Sequence, residues 1–181
     1  MPDGDAAPRP PFRTRPATAA DLPAIAAIYA HAVENSHATF DLEPPDLAHW
    51  EQRLDGQHPG DHLLVAERTG GGAGGTVVGY AYSWSYRPRP AYATTRETSI
   101  YLDESVRGQG VGRLLYPDLL RTMAASGVHT AVALVALPNP ASERLHTAVG
   151  FTKVGELREV GRKFDQWIDV AWFQRMLDDL R

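Results

Sequence analysis

Apolar positions along the chain alternate between two periods, and the changes of period divide it into strands and helices. Leu22, Ile25, Ala26, Ile28, Tyr29 and Val33 recur at three- and four-residue steps, which places them on one face of a helix. Thr18-Ala19-Ala20-Asp21 ahead of it has capping-box spacing, with Asp where Glu or Gln is usual, and Pro23 stands in the first turn, where its missing N–H costs little. That helix is predicted to end near Asn35. Asp46 can cap a second helix with Leu47, Trp50 and Leu54 inward, ending by Gly56. Phe12 to Arg15 can supply a short first strand. His62 to Glu67 and Thr76 to Tyr82 read as strands, joined by Gly70 to Gly75 as a mobile hairpin loop, since no helix opens after it.

The second half alternates in the same way. A strand from Glu97 to Leu102 precedes a third helix with Val111, Leu114, Leu115, Leu119 and Met123 inward. Pro117 lies inside that helix, where a kink or disturbed hydrogen bonding is expected. The continuous apolar run Val132 to Leu137 predicts a central strand buried on both faces, and Pro138-Asn139-Pro140 breaks it. A fourth helix from near Ala141 ends at Gly150, a natural C-terminal cap. Phe151 to Leu157 and Trp167 to Phe173 then form a closing hairpin. About seven strands and about four helices in mixed order define an α/β (α+β) pattern.

Composition narrows the field of functions. A length of 181 residues suits one hydrophobic core, so a single domain is expected over 12–181, with 1–11 and its four prolines as a flexible tail. A net charge of -4 supplies no basic field for a polyanion, so no nucleic acid partner is expected. The absence of cysteine removes disulfides, thiolate ligands and a cysteine nucleophile together. No apolar run suits a signal peptide or a membrane span, which makes the cytoplasm the default location, with no membrane partner.

The chemistry concentrates between Arg96 and Leu120. Arg107-Gly108-Gln109-Gly110-Val111-Gly112 follows a strand and opens a helix. Its alternating glycines let backbone amides approach a bound group, and the helix N-terminus adds unpaired N–H groups and partial positive charge. Together these suit a phosphate or pyrophosphate. The spacing is neither the dinucleotide fingerprint nor the nucleoside-triphosphate loop. Taken alone, the six residues also fit an ordinary glycine-rich turn. Trp84 to Tyr92 is too rich in arginine and aromatics for a mere spacer, and such loops often carry function. Phe40, on the polar segment Ser36 to Pro45, is a packing plug or part of a ligand wall.

The Arg-x-x-Gly-x-Gly pattern resembles the acyl-coenzyme A signature of the GNAT superfamily of N-acetyltransferases. The likeness extends from about Phe12 to Leu180 and is greatest to the branch that acetylates phosphinothricin and methionine sulfoximine. It rests on Tyr29 to Phe40 before Glu43-Pro44, Arg87-Pro88-Arg89-Pro90-Ala91-Tyr92, Glu97-Thr98-Ser99-Ile100-Tyr101, Leu137-Pro138-Asn139 with Ser142 to His146, and Gly161 to Phe164 with Trp167 to Val170. The resemblance implies a mostly antiparallel sheet splayed between strands four and five, with acetyl-coenzyme A in the split and no metal; His146 has no second ligand at a suitable spacing.

It also implies roles. Glu97 matches the proposed general base, because the attacking amine must lose a proton. The backbone N–H of Leu102 matches the donor to the thioester oxygen. Tyr101, Leu102, Arg107, Gly108, Gln109, Gly110, Val111, Gly112, Arg113, Asn139 and Ser142 match the cofactor site. Arg87, Arg89 and Tyr92 match the acceptor loop, and Phe40, Tyr101 and Trp172 its walls. His146 stands where this branch has histidine and many relatives have tyrosine. It can protonate the departing thiolate, orient substrate, support Glu97 or be structural, since a thiol of pKa ~8.5 leaves tolerably unaided. A homodimer is implied, with Trp167, Trp172 and Phe173 supplying aromatic surface. The expected activity is acetyl transfer to a small amino acid-like amine without an acyl-enzyme. The alternatives are a noncatalytic acetyl-coenzyme A sensing domain and acetylation of protein N-termini or lysines.

Overall fold

A computed structural model describes residues 11–69 and 75–181. The expected tail, apart from Pro11, and nearly all of the expected hairpin loop lie outside the described residues. One sheet holds seven strands: β1 (Phe12–Pro16), β2 (His62–Arg68), β3 (Thr76–Ser85), β4 (Thr95–Leu102), β5 (Thr130–Ala136), β6 (Thr152–Lys163) and β7 (Gln166–Met176). Their spatial order is β1-β2-β3-β4-β5-β7-β6. Every pairing is antiparallel except β4 with β5. The helices are α1 (Leu22–Asn35), α2 (Leu47–Asp55), α3 (Val111–Ala125) and α4 (Pro140–Ala148).

The two faces of the sheet carry separate cores. Helices α1 and α2 cover one with Ile25, Tyr29, Val33 and Trp50 against Leu63, Val65 and Tyr80. Helix α3 covers the other, packing Leu115, Tyr116, Leu119 and Met123 against Leu64, Ala81, Ala133 and Phe173. Alternation along β4 divides its side chains between them, as the period of two requires. Ile100 and Leu102 join the α3 core, whereas Tyr101 joins the other.

Several expectations change. Leu114 is 37% exposed; the buried stripe of α3 runs through Val111/Gly112, Leu115/Tyr116 and Leu119/Leu120, so Leu114 falls on the opposite side and Tyr116 takes an inward place. Leu47 is exposed, leaving Trp50 as the buried anchor of α2. Strand β3 continues through Trp84 and Ser85, because the partner strand begins at Thr95 and their ladder extends to Ser85↔Arg96. Phe173 is buried in the core instead of supplying surface. Pro117 does not interrupt α3. It leaves the Arg113 carbonyl without a helical donor, and Arg113 is exposed, so solvent can take that bond.

Candidate active site

Strands β4 and β5 pair only over Thr95↔Thr130, Arg96↔Ala131 and Glu97↔Val132. Beyond that point they separate, and a cleft of about 770 Å³ opens between Thr98–Leu102 on one side and Leu134–Ala136 on the other. Leu134 is therefore 39% exposed in a strand otherwise buried. The sequence reading of β5 as buried on both faces fails at this residue, because its neighbour strand has diverged.

The cleft gathers most of the predicted cofactor residues: Tyr101, Leu102, Arg107, Gly108, Gly110, Val111, Gly112, Arg113, Asn139 and Ser142, together with His146. At its mouth the chain turns through Asp103, which accepts from the Ser105 amide at 2.9 Å. Gly108 and Gly110 have φ of 76° and 81°, left-handed values that a side chain disfavours. Helix α3 starts there with no side-chain cap and no acidic residue in its first turn. Its first intrahelical bond runs from the Leu114 amide to the Gly110 carbonyl, so the amides of Val111, Gly112 and Arg113 lack helical acceptors. Arg107, Arg113 and Arg144 border the same space. These donors and charges fit a diphosphate. Gln109, also assigned to this loop, turns back to donate to the Ser105 carbonyl at 2.7 Å. Arg107 pairs with Glu104 at 2.8 Å.

Backbone direction along β4 follows from one bond. The Asp103 amide donates to the Val78 carbonyl of β3 at 2.9 Å. The amide one residue earlier points the opposite way in an antiparallel ladder, so the Leu102 N–H faces the split. Asn139 caps α4 by accepting from the Ser142 amide at 3.1 Å.

Glu97 lies at the apex, in the last residue pair before the strands part. It shares the α1/α2 face with its register partner Trp84 and with Tyr82. Its carboxylate has no hydrogen-bond partner among the described residues. Burial pushes its pKa above the ordinary carboxylate range, against the opposing fields of Arg53 and Arg87. Arg53 of α2 lies over Tyr82 and Trp84, 4.8 and 4.4 Å from their ring centroids. Sequence reading missed Arg53 and Tyr82, and gave Trp84 and Tyr86 no role beyond membership of the functional connection. The signal was available as an aromatic at every second residue from Tyr80 to Tyr86.

His146 is on the other face. Tyr116, Phe151 and Phe173 surround its ring, Tyr116 and Ser142 take its nitrogens, and burial holds its pKa below the ordinary value. It makes no direct contact with Glu97 among the described interactions.

Three of the predicted acceptor residues, Arg87, Tyr92 and Trp172, gather around Tyr86, which had been given no role of its own. Tyr86 meets Tyr92 at 5.4 Å and Trp172 at 6.1 Å between ring centroids, and Arg87 lies 5.3 Å from its centroid. Since Trp172 is on β7, the connection reaches past β4 and β5. Arg89 is exposed with no side-chain partner among the described residues. Phe40 rests on Gly161, where a Cβ would collide with its ring, and remains 39% exposed. It is thus both packed and available to the outside.

Fold and cleft define an acyl-coenzyme A-binding architecture, and residues 25–151 match the model of the acetyltransferase (GNAT) family. The chain belongs to that family and is an N-acetyltransferase. Within it, the chain is 41% identical over 165 residues to the phosphinothricin N-acetyltransferase of Streptomyces coelicolor, covering 91% of this chain and 96% of that one. It is 38% identical over 168 residues to the L-methionine sulfoximine/L-methionine sulfone acetyltransferase of Pseudomonas paraeruginosa, covering 92% and 95% respectively. A phosphinothricin acetyltransferase from Sinorhizobium meliloti, solved in complex with acetyl-coenzyme A, superimposes with a TM-score of 0.85 at 35% identity over 92% of this chain and 89% of its own. Among the described residues no helix is long and apolar enough to cross a membrane, and no group of three or more His, Asp or Glu side chains could hold a metal ion.

Proposed function

We propose that this chain transfers the acetyl group of acetyl-coenzyme A to the α-amine of a small amino acid-like acceptor such as L-phosphinothricin or L-methionine sulfoximine, by direct attack and without an acyl-enzyme. The observation that carries this reading is a half-buried carboxylate at the apex of the split, with no hydrogen-bond partner among the described residues, beside an arginine- and aromatic-rich connection. The named activities of the relatives support the acceptor class.

The cofactor supplies an activated acetyl thioester and a thiolate leaving group. The first-turn amides of α3, with Arg107 and Arg113, hold its diphosphate, and Asn139 and Ser142 border the chain that follows. Glu97 takes the proton from the acceptor ammonium or amine, directly or through one water, a role worth typically ~10²–10⁴-fold. Its raised pKa, brought about by burial, makes it a better proton acceptor than a solvated carboxylate. The Leu102 N–H donates to the oxygen that gains charge as the amine adds. Arg87 and Arg89 hold the acceptor's acidic end, since guanidinium forks match carboxylate, phosphinate and sulfoximine oxygens. Tyr92, Trp172 and Phe40 form walls around its apolar stem.

The enzyme acts as a homodimer in this reading. Support comes from the outer strand β6 and its hairpin, which expose Val154, Leu157, Val160, Phe164 and Trp167, the last at 62%. Five large apolar side chains exposed on one hairpin are the material of an interface between two copies.

Thiol release measured with L-phosphinothricin, L-methionine sulfoximine, ordinary amino acids and simple amines tests the assignment. Turnover confined to acceptors carrying an acidic group is the expected result. Preference for simple amines would overturn the acceptor class. Calorimetric binding of acetyl-coenzyme A without turnover on any amine or peptide would instead mark a sensing domain.

A further inference from the structure

Both ring nitrogens of His146 are committed inside the fold. Nδ1 lies 2.8 Å from the Ser142 carbonyl, which can only accept, so Nδ1 carries a proton and donates; the Ser142 hydroxyl is farther, at 3.3 Å. Nε2 lies 3.0 Å from the Tyr116 hydroxyl. That hydroxyl is 2.7 Å from Thr98 Oγ1, and Thr98 Oγ1 is 3.2 Å from the Val132 carbonyl. Val132 is the last β5 residue paired with β4. The chain of bonds therefore starts at His146 and ends at the apex of the split, one residue from Glu97.

Each hydroxyl owns a single proton, which leaves only two self-consistent directions for the chain. With a neutral imidazole, Nε2 accepts from Tyr116, Tyr116 accepts from Thr98, and the Val132 carbonyl loses the Thr98 proton. With a doubly protonated imidazole, Nε2 donates to Tyr116, Tyr116 donates to Thr98, and Thr98 donates to Val132. The state of His146 thus decides how the strands are held where their ladder stops. Tyr116 on α3, Phe151 just before β6, Phe173 on β7 and Ser142 on α4 face the ring, with Thr98 of β4 beyond Tyr116; none is charged. Tyr116 and His146 are buried at 0% and 4% exposure.

We propose that Tyr116 is a positioning residue for the acetyl transfer and that His146 acts on the reaction through it, orienting Thr98 at the apex of the split instead of touching the reactants. This rests on the reading of the cleft as the site of acetyl transfer. It deepens that reading by assigning the histidine's influence to a buried hydroxyl pair on the face opposite Glu97. Thr98 stands between Tyr116 and the Val132 carbonyl where the backbone ladder has run out, so whether its one proton goes to Tyr116 or to Val132 sets how the backbone beside the general base and the floor of the cleft are held.

A double-mutant cycle on kcat, with each KM determined, tests the assignment on the full-length chain. Tyr116→Phe and His146→Asn are each expected to lower kcat by roughly 10-fold, the scale of one lost buried hydrogen bond, with the KM for acetyl-coenzyme A within about two-fold of wild type on the same scale. The double variant should be no slower than the slower single variant, because both break one chain. Thr98→Ser should keep most of the activity, whereas Thr98→Val should resemble Tyr116→Phe. Multiplicative losses in the double variant would overturn the proposal by showing that His146 acts independently of Tyr116. So would unchanged kcat for Tyr116→Phe accompanied only by a lower melting temperature, the signature of a purely structural bond. A wild-type protein inactive on every acceptor would fail the acetyl-transfer reading itself, and an active one with multiplicative losses would fail only this inference.

Discussion

The glycines of the proposed cofactor loop lack side chains for two different physical reasons, and substitution should separate them. Gly110 has a φ of 81° with open space around a built Cβ. Alanine there meets no neighbour but must occupy the left-handed region, at a cost of roughly 1–2 kcal/mol. Residues 107–110 are exposed, so the loop can relieve that strain by leaving its conformation without unfolding the protein. The cost then appears in cofactor binding, where 1.4 kcal/mol is about tenfold, giving roughly 5- to 30-fold weaker affinity for Gly110→Ala. Gly112 has ordinary helical backbone, but a Cβ would lie 2.9 and 3.3 Å from the Leu145 methyls and 3.6 Å from Leu102 Cδ1. Gly112→Val therefore overpacks the α3–α4 contact, at about 1–3 kcal/mol. Near 2–4 °C per kcal/mol for a chain of this size, the melting temperature should fall by about 2–12 °C. Calorimetry with acetyl-coenzyme A and thermal unfolding of both variants provide the comparison. Wild-type affinity in Gly110→Ala, or an unshifted melting temperature in Gly112→Val, would refute the division.

Glu97→Gln should lower turnover by at least ~10²-fold near neutral pH while sparing acetyl-coenzyme A affinity; unchanged turnover would place the base elsewhere. The same change should raise thermal stability at neutral pH. Burial holds the folded-state pKa above the unfolded value, so the ionised carboxylate weakens the fold above both values, and this penalty disappears as pH falls through the folded pKa. A melting temperature in Glu97→Gln below that of wild type at pH 7 would contradict that sign. Arg89→Ala should reduce acceptor use by roughly 10-fold or more, the scale of one charge-assisted bond, with cofactor affinity retained; a parallel loss of both would point to folding instead. Light scattering at micromolar concentration should give twice the chain mass, and Trp167→Glu should return it to that of one chain; a monomeric wild type would remove the dimer.

The sequence by itself determined most of the elements and the candidate phosphate cradle, because both are local. Hydrophobic period identifies α1 and β5 without reference to the rest of the chain, and glycines between a strand and a helix bring amides to an anion whatever packs behind them. Only the tertiary structure decided which side chains share a face. Pairing of β4 with β5 stops after Glu97↔Val132, and that stop exposes Leu134 within an apolar run. The register Trp84↔Glu97 sets the general-base candidate beneath Arg53, from a helix about forty residues earlier in the chain, a separation that no local period encodes. Glu97 and His146, both chemically attractive in the sequence, fall on opposite faces because β4 alternates and α4 packs with α3. Tyr116 gave no local sign of importance: its hydroxyl matters only because packing brings Thr98 and His146, 18 and 30 residues away along the chain, within hydrogen-bonding distance.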